Sequence, residues 1–254
     1  MTGLDRLAVP GKIDETSLSD DQHIAVSTVE ELVSAARLAA NTPTHSRRPW
    51  FRGERCSRFE LRPSAFHQGL AGDVLVAAER RALERFRQRS LPYWPEGYPQ
   101  NDWEHLFAMQ HHGVPTRLLD WSENLFVALQ FAFDGNCQHD GAAACNPRLW
   151  VLDPHALNRR VLNHVVSADE LAPILTHYDV DNLDNYVPGS RKGWWKFPVA
   201  IYGAFNSSRM TAQRGTFSVW GSDPRVLDEQ VRDPDSPVKP AHLVMIRLLG
   251  DRDQ

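Results

Sequence analysis

Residues 110–121 carry the side chains of this chain that are best suited to chemistry. The stretch reads Gln-His-His-Gly-Val-Pro-Thr-Arg-Leu-Leu-Asp-Trp. Its histidines, threonine, arginine and aspartate can exchange protons or hydrogen bonds, and its tryptophan can stack on a ring. Glycine and proline both end helices, so a short polar loop between two helices is predicted here. Such loops on a rigid scaffold often hold binding and catalytic groups.

The same stretch also has a purely structural interpretation. Arg117 and Asp120 are three residues apart and could form an ion pair that only fixes the turn. Trp121 could belong to the hydrophobic core. His111 and His112 point to different faces of a helix end, so at most one faces the loop, and a histidine there could cap helix carbonyls instead. Residue types alone leave both interpretations open.

A second group of candidate binding residues lies at Trp50–Glu54, which is predicted to be a short strand. Arg52 follows two aromatic residues there and precedes Gly53. An arginine at such a position suits the clamping of an anion, and glycine lets a ligand or another backbone come close. The alternative is an ion pair of Arg52 with Glu54 or Glu79.

Other classes of site have little support in the sequence. No glycine-rich phosphate loop and no nucleophile elbow is present. Cys137, His139 and Cys145 share one loop, but their spacing matches no standard zinc pattern, so no metal site is predicted. Because there are only 3 cysteines, no disulfide framework is expected, and a cytoplasmic protein is predicted. Neither a signal peptide nor a membrane-spanning segment is expected.

Composition and charge limit the partners. The chain has 254 residues, a hydrophobic content of 42% and a net charge of −4, which together indicate a globular protein rather than a general nucleic-acid or membrane binder. One predicted helix, residues 73–89, is nevertheless rich in arginine. It carries Arg80, Arg81, Arg85, Arg87 and Arg89. A solvated face paired with Glu79 and Glu84 is the simpler interpretation, and a nucleic-acid contact is the alternative.

The elements that must position these residues are predicted from periodicity and end signals. Further helices are predicted near 29–40, 101–112 and 125–133, and a short one is capped by Ser167 and Glu170. Further strands are predicted at 149–154, 197–202, 216–220 and 242–248. Residues 1–26 are expected to be an N-terminal arm, and 27–250 a single domain. Since helices dominate the first half and strands the second, an α+β fold with N-terminal helices and a mostly antiparallel sheet is predicted.

Several motifs resemble those of the FRG domain family, which is named for a Phe-Arg-Gly motif. They are Trp50–Glu54, Leu-Arg-Pro-Ser at 61–64, and residues 110–121 followed by Asn124 and the helical segment 128–132. Residues 208–217 resemble the C-terminal motif of that family. FRG domains occur as stand-alone bacterial and phage proteins, some of them near defence or toxin–antitoxin genes. The resemblance covers roughly residues 27–248.

The order of these parts also resembles that of ADP-ribosyltransferases. Those enzymes hold NAD with an arginine on an aromatic-Arg-Gly strand, and they continue with a Ser/Thr segment, an Ala-x-x-Phe-Ala helix and a late strand with a catalytic Glu or Gln. Arg52, Ser122 and Gln213 fall in that order here. The departure is at the last motif, where Gly215 stands in place of a catalytic glutamate. The resemblance therefore leaves Asp120 or Glu104 as the acid.

The resulting hypothesis is an ADP-ribosyltransferase-like fold and an NAD-dependent ADP-ribosyltransferase or NAD glycohydrolase, acting as a toxin or phage-defence effector. NAD would be the substrate, the acceptor an unidentified protein or nucleic acid, and no metal would take part. The candidate catalytic residues are Arg52, Asp120, Gln213 and Glu104. The candidate NAD-binding residues are Arg52, Gly53, His112, Thr116, Arg117, Trp121 and Ser122. The alternatives are a non-catalytic nucleotide- or nucleic-acid-binding module, and an interaction domain that exposes Trp194, Trp195 and residues 223–240.

Overall fold

The computed structural model of this chain describes residues 23–41, 48–94, 97–134, 146–162, 174–176, 183–188, 195–203, 215–233 and 243–249. Contacts between backbone segments divide the chain into two compact units. Unit 1 comprises Met1–Glu60, Trp121–Ala156 and Val231–Gln254, and unit 2 comprises Leu61–Asp120 and Leu157–Gln230. Each unit is thus assembled from segments that lie far apart in the sequence.

The protein is a mixed α/β structure. Its described helices are α1 (Val29–Ala40), α2 (Gly72–Ser90), α3 (Asp102–His111), α4 (Leu125–Phe133), α5 (Pro154–Val161) and α6 (Leu227–Arg232). Its described strands are β1 (His23–Val26), β2 (Trp50–Glu54), β3 (Leu118–Ser122), β4 (Arg148–Leu152), β5 (Leu175–Thr176), β6 (Val199–Tyr202), β7 (Gly215–Val219) and β8 (Leu243–Leu248). The expectation of N-terminal helices was wrong, because β1 precedes α1 and two helices follow β4.

Unit 1 is built on strands in the order β1-β8-β4-β2-β3. The β4–β8, β2–β4 and β2–β3 pairs are antiparallel, and β1 joins β8 in parallel. Helices α1 and α4 cover one face of these strands with an apolar core that includes Leu32, Ala36, Phe51, Ala128, Val151 and Ile246. Residues 23–26, which were assigned to the N-terminal arm, form strand β1, and residues 1–22 lie outside the described part.

Unit 2 contains strands in the order β3-β7-β6-β5. The β6–β7 pair is antiparallel and the β5–β6 pair is parallel. Its core joins α3 to these strands through Trp103, Leu106, Phe107, Leu118, Ile201, Phe217 and Val219. Across both units, antiparallel pairing dominates among the described strands, as the sequence predicted.

The largest local difference from the sequence prediction concerns residues 118–122. This segment was expected to belong to the loop between two helices, but it is strand β3, with buried residues at four of its five positions. Helix α4 then begins at Leu125, where the Asn124 side chain accepts the amide hydrogen of Phe126. Asn124 is thus the N-cap of α4, and Asp120 and Ser122 belong to strand β3.

Cys56 is fully buried and disulfide-bonded. No disulfide framework was expected, because the sequence has only 3 cysteines. The proposed helix at Ser167 and the cysteine–histidine loop at 137–145 lie outside the described residues. No helix in the described part of the chain is both long and apolar enough to cross a membrane.

Candidate functional site

The loop between α3 and β3, in unit 2, is fixed by backbone hydrogen bonds at both of its ends. The amide of Val114 donates to the Met109 carbonyl over 2.9 Å, and Gly113 takes a left-handed φ of 73°. The amide of Ala65 donates to the Thr116 carbonyl over 3.0 Å. The loop is therefore tied to the turn at Ser64–Gln68, which contains the end of the Leu-Arg-Pro-Ser motif.

Three side chains of this segment form a chain of hydrogen bonds that ends on an exposed carboxylate. The Thr116 hydroxyl donates to Gln110 Oε1 over 2.5 Å, and Gln110 Nε2 donates to Asp120 Oδ2 over 2.7 Å. The Thr116 oxygen in turn accepts the amide hydrogen of Leu118. Thr116 is buried while Asp120 is exposed on β3. The buried threonine thus orients the glutamine, and the glutamine orients a carboxylate that solvent or a ligand can reach.

Arg117 has a different position from the one expected. Its side chain is 0% exposed and its Nε donates to Glu79 Oε2 over 2.8 Å. Its other nitrogens donate to the carbonyls of Trp220 and Tyr186. Burial lowers the pKa of Arg117, and the neighbouring Glu79 carboxylate opposes that shift. Because the guanidinium is enclosed, its role is to join α2, β3 and the Tyr186 and Trp220 segments rather than to hold a ligand.

His112 ends α3 and lies against an aromatic cluster. Its ring centroid is 6.2 Å from that of Phe86 and 6.3 Å from that of Trp94. The ring of Trp94 also lies edge-on to that of Tyr98, and the ring of Tyr98 lies edge-on to that of His105. Both His112 and His111 are exposed. His112 therefore faces α2 and the segment that follows it.

Glu104 serves the start of α3. Its carboxylate accepts the amide hydrogen of Gln100 over 2.8 Å, and its own amide donates to the Asn101 side chain over 2.9 Å. Asn101 thus caps α3 at the predicted start of this helix, and Glu104 is engaged in the cap. Gln213 lies outside the described residues.

Unit 1 holds the candidate anion clamp. Arg52 on β2 has a side chain that is 25% exposed, and its Nε lies 3.4 Å from Glu54 Oε1. Glu54 is buried and also accepts from Arg148 Nη2 over 2.8 Å and from Trp150 Nε1 over 2.9 Å. The carboxylate is therefore shared by two cations and an indole, and the longest of these contacts is the one to Arg52.

Gly53 permits the close approach of another backbone, which is one of the two roles expected for it, and not the approach of a ligand. A Cβ atom at this position would lie 1.8 Å from the Ala128 carbonyl oxygen and 2.7 Å from the Ala132 nitrogen. Helix α4 therefore rests directly on the backbone of β2, and small residues on both sides permit this approach. Helix α4 therefore fills the space beside the glycine of the Phe-Arg-Gly motif.

Trp121 and Ser122 are also engaged in the interior of unit 1. Trp121 is 3% exposed and Ser122 is 5% exposed. Ser122 pairs with Phe51 across β2 and β3, and its hydroxyl accepts the amide hydrogen of Asn124 over 3.0 Å. In this conformation neither side chain offers a surface on which a nicotinamide ring could stack.

Unit 2 also contains a cavity of about 230 Å³ that sequence reasoning missed. It lies between α2, the Ser64–Gln68 turn and the loop after α3. It is lined by Ala65, Gln68, Leu70, Leu75, Ala78, Glu79, Ala82, Val114, Pro115 and Thr116. Within the described residues, no group of histidine, cysteine and acidic side chains could hold a metal ion.

The family comparison matches the part of the chain that contains these features. Residues 47–141 match the FRG domain. The chain carries an FRG domain. The match contains β2, the Ser64–Gln68 turn, the cavity and the loop before β3, whereas the motif at 208–217 lies beyond it. No curated protein and no solved structure matches the chain.

Two features of the FRG domain could have been anticipated only in part from sequence. Gln110 was assigned to a helical face, yet it holds Asp120, because the end of α3 lies beside β3. Glu54 was treated as a surface partner, yet it is buried with Arg148, which is 94 residues away in sequence. In both hydrogen bonds the tertiary fold brings donor and acceptor together, and the spacing of neighbouring residues does not predict such a contact.

Proposed function

We propose that this FRG protein is an ADP-ribosyltransferase-like enzyme that uses NAD as its substrate. The observation that carries the proposal is the exposed carboxylate of Asp120, which is fixed by the Gln110 amide. The order of motifs supports the same reaction class, because Arg52, the segment before α4 and the late strand follow the order found in those enzymes. An ADP-ribosyltransferase-like fold is part of the proposal.

Asp120 is the better candidate for the catalytic carboxylate because Glu104 is engaged in the cap of α3. In the reaction, the bond between ribose C1′ and the nicotinamide nitrogen breaks, and nicotinamide leaves with the electron pair. The carboxylate of Asp120 stabilises the positive charge that develops on the ribose. Water or an acceptor then forms a bond to C1′, and its proton passes to Asp120.

Arg52 is proposed to bind the pyrophosphate of NAD. It is partly exposed, and its contact with Glu54 is 3.4 Å long, whereas Arg148 holds the same carboxylate at 2.8 Å. A phosphate oxygen can therefore replace the weaker contact without leaving Glu54 unpaired. Thr116 and Arg117 are proposed to act indirectly, since both are buried and support the loop that carries Asp120.

The test is nicotinamide release from NAD by the purified chain. Asp120→Asn is expected to lower release by about 100-fold or more while NAD binding persists, because it removes the base but keeps the shape. Arg52→Gln is expected to weaken NAD binding. Asp134→Asn, which changes another exposed aspartate, is the matched control and should retain activity. If the wild type neither releases nicotinamide nor binds NAD by calorimetry, the proposal is wrong.

A further inference from the structure

Helix α2 carries a row of exposed arginines that the proposed NAD reaction does not use. Arg81, Arg85 and Arg89 are all exposed and follow one another at intervals of four residues. Such an interval advances about 6 Å along a helix and about 40° around it, so the row is about 12 Å long. In the described part of the chain, none of the three forms an ion pair.

The other charges on this helix do not neutralise the row. Arg87 is directed elsewhere, to an ion pair with Asp102. Glu79 is buried against Arg117. Glu84 is exposed beside Arg81 and Arg85, so the row keeps an excess of positive charge on a chain whose net charge is −4. A concentrated basic surface on an acidic protein indicates a polyanionic partner.

The row borders the cavity of unit 2. Ala78 and Ala82 line that cavity from α2. Arg81 follows Ala78 by three residues and Arg85 follows Ala82 by three, and residues at this spacing are neighbours on a helix surface. A ligand inside the cavity can therefore reach the arginines with any anionic group that it carries.

The cavity itself suits a neutral ring. Most of its lining is apolar, and its polar groups include Glu79, Gln68 and Thr116. The charge of Glu79 is balanced by Arg117, so the cavity does not call for a cation. A flat, mostly apolar ring with N–H donors matches this lining, as does its volume of about 230 Å³, which is smaller than typical drug-sized sites.

We propose that α2 and this cavity bind single-stranded nucleic acid, with one unstacked base in the cavity and the phosphates along Arg81, Arg85 and Arg89. Proteins that bind single strands combine a basic track with pockets or rings that accept bases. The length of the arginine row favours a nucleic-acid strand over a mononucleotide, because a mononucleotide would need the arginine of only one helical turn. The proposal does not depend on NAD turnover, and all of the residues that it uses belong to unit 2.

The first experiment measures binding of fluorescein-labelled single-stranded RNA and DNA by anisotropy at several salt concentrations. The combined variant Arg81→Gln, Arg85→Gln and Arg89→Gln is expected to weaken binding at least 10-fold and to lower the slope of log affinity against log salt by about 2. The matched control changes Arg37, Arg55 and Arg58, three exposed arginines of unit 1, to Gln. An equal loss in that control would overturn the proposal, because general charge would then suffice.

The second experiment tests the base-binding cavity. Ala78→Leu, with Ala82→Leu as an independent variant, fills the cavity while leaving the arginines in place. Each is expected to weaken binding of the oligonucleotide several-fold and to leave binding of polyphosphate, which has no bases, unchanged. Thermal unfolding checks that each variant is folded. Wild-type binding of polyphosphate, an acidic peptide or anionic vesicles as tight as that of the oligonucleotide would overturn the assignment to nucleic acid.

Discussion

Glu79 of α2 forms an ion pair of 2.8 Å with Arg117, which lies in the loop before β3. The side chain of Glu79 is 6% exposed and that of Arg117 is 0% exposed. The pair connects the helix that lines the cavity to the segment that carries Asp120. Removing one partner would leave the other charge buried without compensation.

Arg117→Met is therefore expected to lower the free energy of unfolding by about 3–5 kcal/mol. Glu79→Leu should have an effect of the same sign. The double variant is expected to lose less than the sum of the two, since neither charge is then left alone. Urea unfolding of the four proteins measures this coupling. Strictly additive losses would show that the pair does not couple the two segments.

Gly53→Ala is expected to be strongly destabilising because its Cβ would meet the Ala128 carbonyl oxygen at 1.8 Å, and that atom belongs to backbone. Gly113→Ala is a useful comparison, since its Cβ would meet open space and only the left-handed φ of 73° would be strained, at a cost of about 1–2 kcal/mol. Urea midpoints of the two variants rank them. A smaller loss at Gly53 than at Gly113 would contradict the close packing of α4 on β2.

Stability should depend on pH through His105. Burial lowers the pKa of His105, Arg87 adds to the shift, and the hydrogen bond to the Asn101 carbonyl and the charge of Glu104 oppose it. The unfolded state then binds more protons than the folded state at a pH below the ordinary value of 6.5. Stability is accordingly retained above pH 6.5 and lost as the pH falls toward the lowered pKa, by up to about 1.4 kcal/mol per pH unit.

The variant His105→Gln tests this assignment, because it removes the titrating group and keeps a side chain that can donate to the Asn101 carbonyl. Its unfolding free energy should vary less with pH than that of the wild type in the range just below 6.5. Denaturant titrations at a series of pH values measure the difference. An unchanged pH dependence would assign the effect to other groups.

Gln110 is expected to be a positioning residue for Asp120. Gln110→Leu should lower kcat for nicotinamide release and leave KM for NAD nearly unchanged, since the amide touches Asp120 and not the ligand. Gln110→Glu places a second carboxylate beside Asp120. Because like charges raise a carboxyl pKa, the acidic limb of the pH–rate profile should move to higher pH. A loss of kcat in both variants without that movement would indicate a structural role only.

The sequence predicted the features that depend on neighbouring residues. Helix α1 begins where a helix was predicted and is capped by the Thr28–Glu31 capping box, and the predicted aromatic strand at Trp50–Glu54 is present. Gly113 takes a left-handed conformation just after α3, where a helix end was predicted. In each case a few adjacent side chains determine the backbone, so a short window of sequence suffices.

Features that depend on distant partners were missed. Strand β3 has only five residues and is buried at four of them, so it shows no alternation that could outweigh the helix-like signals beside it, and its pairing with β2 and β7 makes it a strand. The burial of Arg117 follows from Glu79, which is 38 residues away. Local spacing suggested Asp120 as the partner of Arg117 because the residue that supplies the opposite charge lies on another element.

The position of β8 has a consequence for synthesis on the ribosome. This strand lies between β1 and β4, although it follows both of them in the chain by a long interval. Until it emerges, the edges of β1 and β4 present unpaired backbone groups, which can pair with other nascent chains. Unit 1 can therefore close only after β8 has been translated, and this delay favours aggregation of the nascent chain when no chaperone is present.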